Sequence, residues 1–413
     1  MRSLRILLLS LCVLAALMAG EFQIKDGDRV VFYGDSITDQ RLYTTFTETY
    51  VLTRFPGMKV RFVHSGWGGD RVSGGGGGPV DVRLKRDVIA YQPTVVTIML
   101  GMNDGGYRAF DPEIFERFAS GYQHIVTTLK QALPGLRLTL IQPSPFDDVT
   151  RWPTFEGGYN AVLVRYGQFV KELAAKESLS VADLNTGVVA ALRKAITLDP
   201  MLAERIIPDR VHPGPGGHLL MAGALLKAWN APATVSAVAL DAGRDAAETV
   251  NTRVTEVKRE AGTIAWTQAD RALPMPADPK DAAMALALRS SDFTETLNQQ
   301  TLRVTGLKAG TYALRIDGET VGSFGAGELA KGVNLATLET PMVRQARQVH
   351  DLTLRHNNIH FARWRSVQVP LQDLGLERTQ AAMAALDSLE DEIVERQRAA
   401  AQPRPHQFVL APE

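Results

Sequence analysis

Short apolar runs alternate with longer helical patterns between Asp28 and Asn230. The runs are rich in Val, Ile and Leu, as buried strands are, and each is followed by a stretch with helical spacing. This alternation predicts a parallel sheet with helices on both faces, in which ligands bind at the carboxyl ends of the strands. The predicted strands are residues 30–33, 60–64, 95–100, 136–141 and a weaker 179–184, and the predicted helices lie near 40–54, 80–91, 112–132, 158–177, 186–203 and 215–229.

The pattern changes near Pro232. Long helical periods are lost from residue 233 onward, and apolar side chains begin to alternate with polar ones. Two short segments, 308–310 and 317–318, have the composition of hairpin turns. We therefore predict a small antiparallel β-unit over residues 232–335. Its alternating apolar positions are Leu302, Val304, Tyr312, Leu314 and Ile316.

Residues 336–413 predict two helices, with a last strand returning at 406–410. The first helix begins at Thr340 and Pro341, a favourable N-cap and first-turn pair. The second runs from about residue 376 to 401, and one of its faces is apolar, which is more often a docking face than a chemical one. That face consists of Met383, Leu386, Leu389 and Ile393.

The first twenty residues have the pattern of a secretory signal peptide. Two arginines precede an apolar stretch at 6–18, and the small residues Ala19 and Gly20 follow. A membrane anchor is the alternative, but the stretch is shorter than the roughly 20 residues that a membrane span needs. We therefore expect export to the periplasm or the medium, removal of residues 1–20, and a first mature domain at 21–231.

Composition excludes several classes of function. Lys and Arg number 45, as do Asp and Glu, so no net charge attracts nucleic acid or an anionic membrane. The only cysteine, Cys12, lies in the predicted signal peptide, which leaves no thiol nucleophile and no Cys-based metal site. The eight histidines lack metal-ligand spacing, and Arg71 interrupts the one glycine pattern that resembles a dinucleotide loop. We expect neither a metal nor a cofactor.

Four short segments carry candidate chemistry. The first, GDSIT at 34–38, directly follows a predicted strand. It places Ser36 where the next helix begins, and a helix N-terminus presents free N–H groups to a developing anion. Capping of the helix by Ser36 is the plainer interpretation of this segment by itself.

Two further segments follow the next two predicted strands. GWGGD at 66–70 contains Gly69, whose backbone N–H can approach a ligand closely. GMND at 101–104 contains Asn103, whose amide can donate to an oxyanion. Taken alone, the first segment is better interpreted as an ordinary glycine-rich loop, and a turn is the alternative for the second.

The last segment, DRVHP at 209–213, lies near the end of the α/β pattern. Asp209 stands three residues before His212, so that an acid can orient an imidazole that acts as a general base. A single histidine is more often structural than catalytic. The combination of all four segments in one order is what gives them weight, together with the absence of a Gly-x-Ser-x-Gly elbow.

In these segments the chain resembles the SGNH hydrolases, also called the GDSL esterase family. The four residues that name the family match Ser36, Gly69, Asn103 and His212, and Asp209 matches its acid. The resemblance covers roughly residues 28–230 and implies a flavodoxin-like α/β/α sandwich. Two departures, His64 where the family commonly has Asn and the glycine run at 74–78, leave the shape of the substrate cleft open.

The resemblance implies an acyl-enzyme mechanism for ester hydrolysis. Ser36 attacks the carbonyl, His212 takes its proton, and Asp209 orients the imidazole. The N–H groups of Ser36 and Gly69, with the Asn103 side chain, form the oxyanion hole. Asp35 is expected to support the turn rather than to react.

The substrate is less well indicated. Polar and aromatic residues on predicted loops suit a sugar-bearing ester with a small acyl group such as acetyl, although loop packing explains them equally well. A lipase, lysophospholipase or thioesterase of the same family is an alternative, and a catalytically silent glycan-binding or scaffold protein is another. The segment 356–365 either reaches over the cleft or, as we favour, is a helix end packed on the β-unit. The candidate substrate residues are Asp39, Arg41, Trp67, Tyr107, Phe146 and Trp152.

Overall fold

The structure, a computed structural model, describes residues 20–244, 247–278 and 280–413. Apart from Gly20, the predicted signal peptide lies outside these ranges. The strands are β1 (Arg29–Gly34), β2 (Arg61–Gly66), β3 (Gly74–Gly75), β4 (Gly78–Pro79), β5 (Val95–Met99), β6 (Arg137–Gln142), β7 (Ser180–Asp183), β8 (Thr234–Asp241), β9 (Ala247–Val250), β10 (Thr252–Glu260), β11 (Thr263–Asp270), β12 (Gln299–Thr305), β13 (Thr311–Ile316), β14 (Glu319–Gly325), β15 (Val333–Asn334) and β16 (His406–Pro412).

Helices cover much of the remaining chain. They are α1 (Ser36–Asp39), α2 (Leu42–Arg54), α3 (Val80–Asp87), α4 (Pro112–Ala132), α5 (Gly158–Glu177), α6 (Thr186–Leu198), α7 (Pro200–Ala203), α8 (Pro215–Ala228), α9 (Ala282–Ser290), α10 (Phe293–Leu297), α11 (Ala326–Lys331), α12 (Pro341–Phe361), α13 (Val369–Leu371) and α14 (Glu377–Ala400). A π-helical segment, Ala362–Gln368, joins α12 to α13. Within the described ranges, no helix combines the length and the apolar character needed to cross a bilayer.

The elements β1 to α8, called the α/β region, form the predicted sandwich around a central parallel sheet. Its strand order is β2-β1-β5-β6-β7, and all neighbouring strands are parallel. The four residues that precede Gly34 in β1 are fully buried, as expected for a strand covered on both faces. The flavodoxin-like fold class is confirmed, and the five predicted strands match within two residues at each end.

Two further sheets follow the α/β region. One, in the order β10-β11-β16-β13-β14, is antiparallel throughout and has the last strand of the chain at its centre. The other contains one parallel pair, β8 with β12. The predicted turn at 317–318 does close a hairpin, with both residues at positive φ as a type I′ turn requires. The predicted hairpin at 308–310 is wrong, because β12 and β13 belong to different sheets.

The helices α12 to α14, called the C-terminal helices, pack back onto the α/β region through α2 and β2. The first begins as predicted, with Thr340 accepting the N–H of Val343 at 3.2 Å. The predicted apolar docking face of α14 is only partly correct. Leu389 is 43% exposed, whereas Met383 and Gln397, seven positions before and after Glu390, are buried. The buried face of α14 is therefore largely polar.

Buried charges hold these helices against α2. The imidazole of His356 lies between two carboxylates, with Nδ1 3.4 Å from Glu48 and Nε2 3.1 Å from Glu390. Burial alone would lower the pKa of His356, but the two carboxylates outweigh it and raise the pKa to about 10. His64, 3.1 Å from the other oxygen of Glu48, differs because burial lowers its pKa to about 4. Of these two histidines, His356 is therefore charged and His64 is neutral.

We predict that Glu48→Gln lowers the free energy of unfolding by about 3 kcal/mol, since removing one partner of a buried ion pair leaves the other charge poorly compensated. The matched control is Arg61→Ala, which removes an ion pair between β2 and α14. Arg61 and Asp391 are 56% and 55% exposed, so that change is expected to cost less than about 1 kcal/mol. Urea denaturation of both variants measures the difference. Equal losses would contradict the importance of the buried cluster.

The same cluster predicts how the effect of Glu48→Gln depends on pH. The stabilisation from His356 is complete below its unfolded pKa of 6.5 and is lost as the pH rises through about 10. Burial opposes the ionisation of Glu48, but His356 and His64 lower its pKa to about 2, so its contribution is complete above 4.5 and lost toward about pH 2. The difference between wild type and variant is therefore largest near pH 5–6 and shrinks toward pH 10.

Candidate active site

The turn between β1 and α1 carries Ser36 as the first residue of the helix. Asp35 caps that helix, because its side chain accepts the backbone N–H of Ile37 at 3.0 Å. Its carboxyl group is buried, which raises its pKa to about 7. Asp35 thus holds the shape of the turn, as its expected supporting role requires.

Ser36, His212 and Asp209 form a continuous line of hydrogen bonds. The Nε2 atom of His212 lies 2.8 Å from the Ser36 Oγ, and its Nδ1 lies 2.7 Å from the Asp209 carboxylate. The other oxygen of Asp209 accepts the backbone N–H groups of Val211 and His212. Burial would raise the pKa of Asp209, but the hydrogen bonds from His212 and Val211 outweigh it and lower the pKa. An ionised carboxylate only accepts, so Nδ1 donates and Nε2 is left to accept from the serine.

Two arginines hold the loop that carries His212. Arg151 donates to the carbonyl oxygens of Ile207 at 3.1 Å and Pro208 at 2.8 Å. Arg210 donates in the opposite direction, to the carbonyl oxygen of Trp152 at 2.9 Å. The loop after β6 and the His212 loop are therefore clamped together.

The oxyanion candidates lie on the loops after β2 and β5. Gly69 has φ = +79°, a conformation in which other residues are strained. The Asn103 amide donates to the carbonyl of Asp70 at 3.0 Å, and its oxygen accepts the Tyr107 hydroxyl at 2.9 Å. These two bonds link the loops and fix the orientation of the Asn103 side chain.

Comparison with known proteins identifies the α/β region. Residues 32–220 match the model of the GDSL-like lipase/acylhydrolase family. An acetylxylan esterase of Geobacillus stearothermophilus is 27% identical over 227 residues, which is 50% of this chain and 95% of that protein. A gut microbial diltiazem-metabolizing enzyme superposes with a TM-score of 0.82 at 26% identity, covering 94% of this chain and 98% of that one.

Over residues 32–220, slightly less than half of its length, the chain matches the family of the SGNH hydrolases. Its matched residues span the site from β1 to the start of α8, and the structural match extends well beyond them. Among the residues that the structure describes, no group of three or more His, Cys, Asp or Glu side chains is arranged to hold a metal ion.

Beneath the loop that follows β2 and contains Gly69, called the oxyanion loop after its expected role, lies a buried ionic network that the sequence did not reveal. Arg83 donates to Asp70 at 2.8 Å and to the carbonyl of Ser65 at 2.9 Å, and it also pairs with Asp87. All three charged side chains are inaccessible to solvent. Its guanidinium is further enclosed by the rings of Tyr33, Trp67 and Trp364. The helix Val80–Asp87 contains two arginines, and its sequence gave no signal that Arg83 has this role.

A pocket of about 310 Å³ opens beside Ser36. Asp39 and Arg41, both predicted to contact substrate, line it together with Ser36 and His212. Phe361, from the end of α12, forms another wall, and the Arg41 guanidinium lies 4.2 Å from the centre of its ring. Five of its six lining residues therefore carry polar groups, and the one aromatic wall is supplied from outside the α/β region.

The other predicted substrate residues lie elsewhere. Trp67 is covered by Arg365, whose guanidinium lies 3.3 Å from the ring centre. Tyr107 binds the Asn103 side chain, and Phe146 is buried against it with ring centroids 6.1 Å apart. Trp152 is 90% exposed on the loop that Arg210 holds.

The favoured interpretation of segment 356–365 is wrong in its partner. The segment is a helix end, but it packs on α2 and β2 of the α/β region rather than on the β-unit. Asn357, for example, donates to Thr45 at 2.7 Å, and Trp364 donates to Asp87 at 2.7 Å. Contacts between residues about 300 positions apart have no signature in a local pattern.

The close approach of β2 to α1 yields a prediction for Gly66 and Gly68. A Cβ on Gly66 would lie 2.1 Å from the backbone N of Asp39, so Gly66→Ala must displace α1. The same change at Gly68 meets only the Asp39 carboxylate at 3.6 Å. We expect Gly66→Ala to lower both the melting temperature and the esterase rate, and Gly68→Ala to change neither appreciably. Two equally active variants would contradict this packing.

Proposed function

We propose that this carboxylic ester hydrolase removes short acyl groups, such as acetyl, from a carbohydrate or another small ester through a Ser-His-Asp triad. The observation that carries the proposal is the hydrogen-bonded line from Asp209 through His212 to Ser36, with distances of 2.7 and 2.8 Å. Such a line is the arrangement by which a weak nucleophile is activated.

In the first half of the reaction, neutral His212 accepts the Ser36 proton as the Oγ attacks the ester carbonyl. Asp209 keeps the correct tautomer and stabilises the imidazolium that forms. The alcohol then leaves with the proton from His212. In the second half, His212 activates water, which attacks the acyl-enzyme and releases the acid and Ser36.

The tetrahedral intermediate needs donors for its oxyanion. Ser36 opens α1, so its backbone N–H belongs to the first turn of a helix, where N–H groups have no intrahelical partner. Gly69 supplies a second N–H. The Asn103 amide group has two hydrogens, of which one is bound by the Asp70 carbonyl, and Tyr107 holds the amide oxygen. The other hydrogen is therefore the third donor.

The character of the pocket supports a small and polar ester. Its lining by Asp39, Gln40 and Arg41 offers hydrogen bonds to hydroxyl groups, and Phe361 offers a flat apolar surface. Similarity to an acetylxylan esterase favours an acetyl ester of a carbohydrate, and similarity to a diltiazem-metabolizing enzyme makes diltiazem a second candidate substrate. We further propose export, on the basis of the charged and apolar pattern of residues 1–20.

Hydrolysis of p-nitrophenyl acetate and p-nitrophenyl butyrate tests the proposal. We expect turnover of the acetate to exceed that of the butyrate and Ser36→Ala to abolish both. Asn103→Ala is expected to lower kcat by about 10²–10³, the usual cost of one oxyanion donor. Acetylated xylan and diltiazem, which carries an acetate ester of a secondary alcohol, then separate a carbohydrate from a non-carbohydrate alcohol as substrate.

A wild-type protein without turnover of any of these esters would contradict the proposal. Equal activity of the Ser36→Ala variant would contradict the assignment of the nucleophile. A preference for butyrate and longer chains would replace the acetyl esterase by a lipase of the same family.

A further inference from the structure

The π-helical segment after α12 lies directly behind the oxyanion loop. Phe361, at the end of α12, borders the pocket together with Ser36. The next turns of the chain bring Trp364 and Arg365 against the loop that contains Gly69. Segments with π-helical hydrogen bonds are rare and are frequently found at functional sites.

Arg365 reaches this loop through Asp39. Its Nη2 lies 3.5 Å from the Asp39 carboxylate, and its guanidinium lies 3.3 Å from the centre of the Trp67 ring. The same oxygen of Asp39 accepts the backbone N–H of Gly68 at 3.1 Å. The Arg365 and Asp39 side chains are only 19% and 20% exposed, so water screens their attraction less than it would at the surface.

Trp364 reaches the other side of the loop. Its indole N–H donates to Asp87 at 2.7 Å, and Asp87 pairs with Arg83. Arg83 in turn holds the carboxylate of Asp70 at 2.8 Å. Asp70 follows Gly69 in the chain, and its carbonyl accepts the amide of Asn103. One contact chain thus runs from Trp364 to both oxyanion candidates on the loops.

We propose that Trp364 and Arg365 are positioning residues that hold the oxyanion loop in place for catalysis. This inference rests on the proposed function. Arg365 fixes the loop at Gly68 through Asp39, and Trp364 fixes it at Asp70 through Asp87 and Arg83. The C-terminal helices therefore complete the active site in this chain, and the buried Glu48–His356–Glu390 cluster is what docks them.

The comparisons agree with such a role. The acetylxylan esterase corresponds to only 50% of this chain, whereas the diltiazem-metabolizing enzyme corresponds to 94%. The architecture shared with the latter extends well beyond the α/β region. In this chain, the loop after β2 is supported from that additional part.

Steady-state kinetics of Arg365→Ala, Arg365→Lys and Arg363→Ala test the proposal on p-nitrophenyl acetate. Arg365→Ala is expected to lower kcat by about ten- to a hundred-fold with little change in KM, since misplacing a catalytic group by about 1 Å can cost that much. Arg365→Lys should recover part of the loss, because an ammonium group can still pair with Asp39. Arg363→Ala should leave kcat unchanged, since Arg363 pairs with Asp387 on α14 instead.

A double-mutant cycle identifies the route of the effect. If Arg365 acts through Asp39, then Arg365→Ala should lower kcat much less in an Asp39→Asn background than in the wild type. Trp364→Phe keeps an aromatic ring, although a smaller one, and removes the indole N–H, so it should lower kcat without changing KM. Melting temperatures confirm that each variant is folded.

Three outcomes would overturn the inference. The first is a kcat of Arg365→Ala within about twofold of wild type. The second is an equal loss in Arg363→Ala, which would mean that the segment acts only through stability. The third is a change in KM while kcat stays at the wild-type value. If the wild type itself has no Ser36-dependent turnover, the proposed function fails. If the wild type is active and Arg365→Ala is equally active, the proposed function stands and only this inference is refuted.

Discussion

The site depends on the register of three parallel strands. Gly34 at the end of β1 pairs with Gly66 of β2 on one side and with Met99 of β5 on the other. Three strands therefore end at one level, and the loops that follow them start side by side. Because ligands bind at the carboxyl edge of such a sheet, this register brings the serine, glycine and asparagine segments to one place. A shift of one residue in any strand would separate them.

His212 lies on a different element, the loop before α8. Its position is set by hydrogen bonds rather than by sheet register, since Arg151 and Arg210 clamp that loop to the segment after β6. Charged residues play the same part beneath the oxyanion loop, where Arg83 is fully buried among carboxylates and rings. Such groups are costly to bury unless they are paired, and each is paired here with a residue that shapes the site.

The local sequence pattern was sufficient to predict the α/β region, but it was insufficient to predict how the rest of the chain packs. Strands and helices there follow from periodicity, and the candidate residues follow from short segments at strand ends. The hairpin predicted at 308–310 failed because a turn sequence does not say which sheet receives the next strand. Leu389 was predicted to dock and is exposed, because Glu390 and Gln397 use buried partners that lie far away in the chain. Phe361 and Arg365 lie in segment 356–365, for which reaching over the cleft was an alternative and packing on the β-unit the favoured interpretation, and local pattern could not decide between the two.

Labelling with a fluorophosphonate, followed by mapping of the adduct by mass spectrometry, tests most directly whether this arrangement activates the serine. The reagent reacts with serines whose hydroxyl has been activated by a neighbouring base. We predict one adduct, on Ser36, that is absent from a folded His212→Ala variant. A wild-type protein that remains unlabelled, or an adduct on another residue, would contradict it.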